Sequence, residues 1–337
     1  MSKFAFVTNT DSNTLSVVDL QTTEELKQID IGESPRGAMA VDKVRGYGFV
    51  SNCAGNTISV INILEAESQG EIEVGLAPRG VDISPDNKWL FVANSGSATV
   101  TIIDLSTHEV VHTVAVERNP RQLQVSPNGK FVSVPNFGSD SISIINVDNS
   151  NIKNTKNIAN INLGKYTRPY HAFPSEDGQL VFTANTFSHT VSVVSVADKK
   201  VIKTISVGYN PRAVITEPSG KYLIVSAEAS NALCIIDRQT YQEIKRIDVG
   251  ATPRGMDINT DNNTVCSTSF QRNHLFGAPS LGSTDASGDS VTVISLDTLT
   301  RVGNLPSGLG ACSVKIIETD DVINGELIEA NLNLVYV

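Results

Sequence analysis

Three segments of one stretch decide the fold: Ala77-Pro78-Arg79-Gly80, the turn Ser84-Pro85-Asp86-Asn87, and the run Phe91-Val92-Ala93-Asn94. Copies recur in step along the chain at a spacing of about 42 residues, the mark of a repeat architecture. The Pro-Arg element returns as Ser34-Pro35-Arg36-Gly37, Asn119-Pro120-Arg121, Asn210-Pro211-Arg212 and Thr252-Pro253-Arg254-Gly255. The Asn-terminated run returns as Phe6-Val7-Thr8-Asn9, Phe49-Val50-Ser51-Asn52, Ser133-Val134-Pro135-Asn136 and Phe182-Thr183-Ala184-Asn185.

Each unit then supplies an alternating segment such as Thr99-Val100-Thr101-Ile102-Ile103, a polar turn such as Asp104-Leu105-Ser106-Thr107-His108, and an outer segment such as Val110-Val111-His112-Thr113-Val114. That makes four strands per unit, joined by turns rich in Pro, Asp, Asn and Gly. Innermost strands begin near Arg36, Arg79, Arg121, Tyr170, Arg212, Arg254 and Cys312. The expected fold is therefore all-β, a seven-bladed β-propeller of four-stranded antiparallel blades with almost no helix. The chain opens on a second strand, Phe4 to Asn9, so the innermost strand of that blade must come from Ala311 to Glu318. The N- and C-terminal strands then share one blade, which hides both sheet edges.

The whole chain, 1–337, reads as a single propeller domain. Residues 318–337 form an extension or clasp beyond the closing strand, and 270–287 form an insertion in the last blade that carries Gln271, Arg272, His274 and Phe276. A lid and a Gly- and Ser-rich flap are both open readings of that insertion.

The Pro-Arg-Gly strand, the Ser-Pro-Asp turn and the Phe-Val-Thr-Asn strand together resemble the YVTN-repeat type of seven-bladed β-propeller, over nearly the whole chain. In broad outline that likeness extends to propeller lyases and lactonases such as streptogramin lyase. It lies in the blades and not in a catalytic motif.

The formal charge is −10, which argues against nucleic acid as a partner. No run of eighteen apolar residues is present and Met1 leads directly into the first strand, so neither a membrane partner nor a leader is expected, and the chain reads as soluble and cytoplasmic. The four cysteines Cys53, Cys234, Cys266 and Cys312 show no CxxC pairing and read as reduced thiols at buried strand positions. GxSxG, Walker, GxGxxG, HExxH and EF-hand patterns are missing, which removes the commonest motif-bearing hydrolases, nucleotide enzymes and zinc proteases.

In a propeller the loops entering the innermost strands and those leaving the second strands open on one face. Five blades place Arg36, Arg79, Arg121, Arg212 and Arg254 there, a local positive field that suits an anionic small molecule. The competing reading ties these arginines to loop carbonyls. The repeated asparagines Asn9, Asn52, Asn94, Asn136 and Asn185 read as turn-closing residues.

Departures from the repeat point to function. Arg168-Pro169-Tyr170-His171 sets a phenol and an imidazole beside the arginines, and Ala227 replaces the sixth Asn, followed by Glu228. The expected catalytic residues are Tyr170, His171, Glu228 and His274, with Phe137, Phe187 and His189 joining the arginines around the substrate. Each histidine has loop capping as its alternative, and His108 and His112 belong to an outer turn and strand. A three-histidine metal site is not supported by residues spread over different blades, so no metal or other cofactor is expected. The functional expectation is an enzyme of lyase, lactone hydrolase or cyclase/isomerase type acting on an anionic small molecule. The alternative is a non-catalytic ligand-binding or protein-interaction scaffold.

Overall fold

The computed structural model describes residues 3–37, 39–260, 263–270 and 290–318. Among them, seven four-stranded antiparallel sheets form a ring. The first blade pairs Ala311–Glu318 with Lys3–Asn9, followed by Thr14–Asp19 and Glu25–Asp30. The ring thus closes through strands from opposite ends of the chain, as the sequence predicts. The only helical pieces among the described residues are two single turns, Ile152–Asn154 and Glu228–Ser230. No helix there is long and apolar enough to cross a membrane. The insertion beyond Phe270, with His274, and the extension 319–337 lie outside the described residues.

Alternation along the strands explains how the ring is held. Strand residues point in turn to opposite faces, and here both faces of each blade are covered by a neighbouring blade. In Trp89–Asn94, Leu90 and Val92 enter the seam with the second blade, while Phe91 and Ala93 enter the seam with the fourth. The apolar core is therefore divided into seven seams, one between each pair of neighbours, including Ala5, Val7 and Val314 against Val291 and Leu305 where the ring closes.

The repeated asparagines are structural latches. Asn52 Nδ2 donates to Thr57 Oγ1 at 3.0 Å and to Ser59 Oγ at 2.8 Å, and Ser59 Oγ accepts from the Gly32 N–H at 3.0 Å. Asn9, Asn94, Asn136 and Asn185 repeat this pair of bonds with hydroxyls five and seven residues ahead. Gly32 leads into the inner strand and lies against the latch so closely that a Cβ would sit 2.2 Å from Asn52 Nδ2. Cys234, Cys266 and Cys312 are buried in strands, and burial pushes the Cys234 and Cys266 thiols up to about 11 and about 12. Cys53 differs from the expectation: it is half-buried in the turn after Tyr47–Asn52.

Asn52→Ala should cost about 1–3 kcal/mol through the two lost hydrogen bonds, and Gly32→Ala a similar amount through overpacking. Because the alanine side chain at 52 no longer reaches position 32, the double variant should lose less than the sum. Urea unfolding of the four proteins measures this coupling.

Candidate active site

Six of the seven inner strands are entered through a left-handed residue followed by proline: Ser34, Ala77, Asn119, Arg168, Asn210 and Thr252 have φ between 49° and 59°. This turn starts each inner strand at one height on the axis, so the residue after the proline faces its counterparts. Hydroxyls of the second strands fix the backbone at that height. Ser51 donates to the carbonyls of Arg36 and Arg79, Ser226 to Arg254 O at 2.8 Å, and Thr268 to Cys312 O at 3.2 Å.

The result is a ring of Arg36, Arg79, Arg121, Tyr170, Arg212, Arg254 and Cys312 around an axial cavity of about 510 Å³. Two of its arginines share one counter-ion. Glu228 accepts from Arg212 Nε through Oε2, and from Arg254 Nη2 through Oε1 at 3.0 Å. The other three have none: the buried Nε atoms of Arg36, Arg79 and Arg121 lack a hydrogen-bond partner among the described residues, and none of these guanidiniums is in an ion pair there. Aromatic faces flank Arg121 and the two arginines that share Glu228. The Arg121 guanidinium carbon stands 4.7 Å from the Phe137 ring centre and 5.5 Å from that of Tyr170, Arg212 stands 4.4 Å from Tyr170, and Arg254 stands 3.8 Å from Phe270.

The ring's charge shows in its acidities. Burial, reinforced by repulsion from Arg79, brings Arg121 down to about 10. Burial alone would push the Tyr170 phenol up, yet Arg212, Arg79 and Arg121 together carry it below the usual phenol range. Cys312 behaves likewise: burial raises it, but Arg254, a hydrogen bond from the Gly37 N–H and Arg36 bring the thiol below its ordinary value. Glu228 is buried too, and its two arginines hold it ionised.

The structure distributes the expected site residues unevenly. Tyr170 and His171 line the cavity with the five arginines, and Phe137 stands at its rim, edge-on to Tyr170 at 6.3 Å and to Phe187 at 5.8 Å. Phe187 is largely exposed. Glu228, expected as a base or its orienting partner, has both oxygens engaged by guanidiniums and acts as their counter-ion. His189, expected beside the substrate, is not part of the cavity wall. Its Nδ1 accepts from the Asn210 N–H at 3.2 Å, the position from which Asn13, Asn56 and Asn231 accept from Ser34, Ala77 and Thr252. It is a stitch between blades in an asparagine's place.

His171 is buried, 6% exposed, and its Nδ1 accepts from the Val214 N–H at 3.3 Å. Burial lowers it from 6.5 to about 4, so the ring is neutral and no base awaiting protonation near pH 7. His274 lies outside the described residues.

Sequence reasoning set Cys312 at the start of an innermost strand but gave it no part in the site, and it passed over Asp82 and Asp257 deeper in the cavity. Both carboxylates stand three residues after an axial arginine and accept from the N–H of the next inner strand, Val125 at 2.8 Å and Ile316 at 2.8 Å. Aligning the units on their Pro-Arg steps would have exposed both aspartates. Among the described residues no three His, Cys, Asp or Glu side chains gather as a metal site.

A neutral His171 sets a pH dependence. With its folded pKa depressed, its contribution to stability is fully present above about pH 6.5 and is lost as the pH falls from there through about 4. His171→Gln has no ring to titrate, so its thermal midpoint should fall less steeply than the wild type's over this range in a calorimetric pH series.

Comparison with known proteins agrees with this architecture. A family model described as YNCE-like beta-propeller matches residues 44–171. No curated protein matches the chain. Among solved structures, a functionally unknown protein from Desulfotomaculum acetoxidans superposes with a TM-score of 0.77 at 14% identity, covering 94% of this chain and 99% of its own. A protein from Lactobacillus plantarum gives 0.75 at 15%, covering 94% and 100%. Hydrazine synthase from Kuenenia stuttgartiensis gives 0.68 at 18%, covering 83% and 94%. At these identities the likeness is one of fold. With its seven closed blades the chain is a seven-bladed β-propeller, and its repeat is similar in broad outline to that of the YVTN type.

Proposed function

We propose that the axial cavity binds an anionic small molecule on Arg36, Arg79 and Arg121, and that Tyr170 moves a proton on it. The observation that carries this is the set of three half-buried guanidiniums that find no acceptor among the described residues, since like charges gathered without counter-ions repel one another and the cluster is retained against that repulsion. A carboxylate or phosphate would supply the missing acceptors through charge-assisted bonds. The guanidiniums would also stabilise negative charge growing on an adjacent carbon or oxygen of the bound molecule, the step shared by lyases, lactonases and isomerases. Tyr170 is suited to the proton because its phenol is lowered by the arginines it faces. His171, neutral, and Glu228, held by two arginines, are better placed to orient than to titrate.

A scaffold without chemistry is the second reading, and one observation favours it. Leu76, Tyr166, Tyr209 and Leu309, on loops leading into inner strands, are 57–72% exposed. They form an apolar rim on the face where the arginines converge, and a protein partner could cover it.

Arg79→Gln separates ligand contact from a structural role. It should weaken inorganic phosphate binding by about tenfold or more while leaving the ligand-free thermal midpoint unchanged or higher, because it relieves repulsion on Arg121. A lower midpoint with unchanged phosphate affinity, read by calorimetry, would mean that the arginine only holds the fold. With a substrate found by screening carboxylates and lactones, Tyr170→Phe should lower kcat about a hundredfold with little change in KM. Unchanged turnover would remove Tyr170 from the chemistry.

A further inference from the structure

Below the arginine ring the cavity changes character. Its wall is apolar over Met39, Val81, Phe173, Ile215, Met256 and Val314. The polar groups at this depth are largely matched to each other: Asp82 accepts from Gln124 Nε2 at 2.7 Å as well as from Val125, and Asp257 pairs with Lys315 at 3.3 Å. Below the arginines, one buried nitrogen of the wall is unmatched among the described residues. His171 Nδ1 takes the Val214 N–H, so the single proton of the neutral ring sits on Nε2. That Nε2 is buried and has no hydrogen-bond partner among the described residues. Along the axis the cavity therefore has guanidiniums suited to an anion and then an apolar wall, and within that wall a buried N–H donor without an acceptor among the described residues, which a ligand oxygen would reach by a small opening of the wall. A buried donor left unpaired is disfavoured, and a ligand oxygen is the group that would satisfy it.

We infer that the ligand is an amphipathic acid: an anionic head on Arg36, Arg79 and Arg121, a carbonyl or hydroxyl oxygen accepting from His171 Nε2–H, and an apolar body along Met39, Val81, Phe173, Ile215, Met256 and Val314. This rests on the anion site proposed above and narrows its substrate class. A small polar dianion fills the head of such a cavity and leaves the rest of a space typical of organic ligands uncovered. Medium-chain acyl derivatives of small acids have all three parts in the right order.

The test is calorimetric titration of the full chain with inorganic phosphate, with acetyl-, butanoyl-, hexanoyl- and octanoylglycine, and with undecanoate, which matches octanoylglycine in chain length but lacks the mid-chain carbonyl. Affinity should rise about threefold to fourfold per methylene across the acylglycines. Octanoylglycine should bind about tenfold tighter than undecanoate, and His171→Phe should erase most of that difference while keeping the rise with chain length. Should this variant fail to fold, the length series and the matched pair in the unaltered protein decide the matter. Affinity flat with chain length, or no preference for octanoylglycine over undecanoate, overturns the amphipathic ligand. If phosphate still binds in that case, and does so more weakly in Arg79→Gln, the anion site stands. Absence of binding by every probe, phosphate included, overturns the anion site and this inference together.

Discussion

Seven inner strands pass so close to one axis that neighbouring backbones nearly touch. A Cβ on Gly37 would lie 2.5 Å from the Arg79 carbonyl oxygen, one on Gly80 2.6 Å from that of Arg121, and one on Gly255 2.3 Å from Ser313 Oγ. This close approach accounts for the glycine of the Pro-Arg-Gly step, and the site follows from it as well. Side chains one residue earlier have nowhere to go but toward the axis, where seven of them share one level. An arginine chosen once by a repeat becomes a cluster when the repeat closes.

That cluster lies inside a protein of formal charge −10. Like charges so near one another raise the free energy of the empty ring, and Glu228 relieves only part of it. The same field draws protons from Tyr170 and Cys312, so the anion binding proposed here and the acid strength of these groups have a common origin. Any anion that settles there will weaken the field on the phenol and the thiol, and so tie ligand occupancy to their ionisation.

The fold was legible because its determinants are periodic. Pro-Arg steps, Asn-terminated strands and Ser-Pro-Asp turns each register the blade, and the sharing of the first blade followed from the strand with which the chain begins. The arginine ring was legible for the same reason. Roles that depend on partners in other blades were not. Glu228 reads as a free carboxylate until Arg212 and Arg254 are seen on either side of it. His189 reads as an imidazole near a ligand until its φ of 59° and its bond to Asn210 place it in the asparagine stitch. The neutrality of His171 likewise comes from burial and from Val214, forty-three positions away in sequence.

The shared blade has a further consequence, for the protein as it is made. Lys3–Asn9 is synthesised roughly three hundred residues before its inner neighbour Ala311–Glu318. At about 5–20 residues per second, ribosomal synthesis leaves that strand's edge without its neighbour for about 15–60 s. Through that interval the nascent chain carries an apolar strand with an unpaired ladder, open to any other strand it meets. Six blades can pack in order as they emerge, but the first must wait until Ala311–Glu318 has been made, and premature termination upstream of Ala311 would leave the ring open.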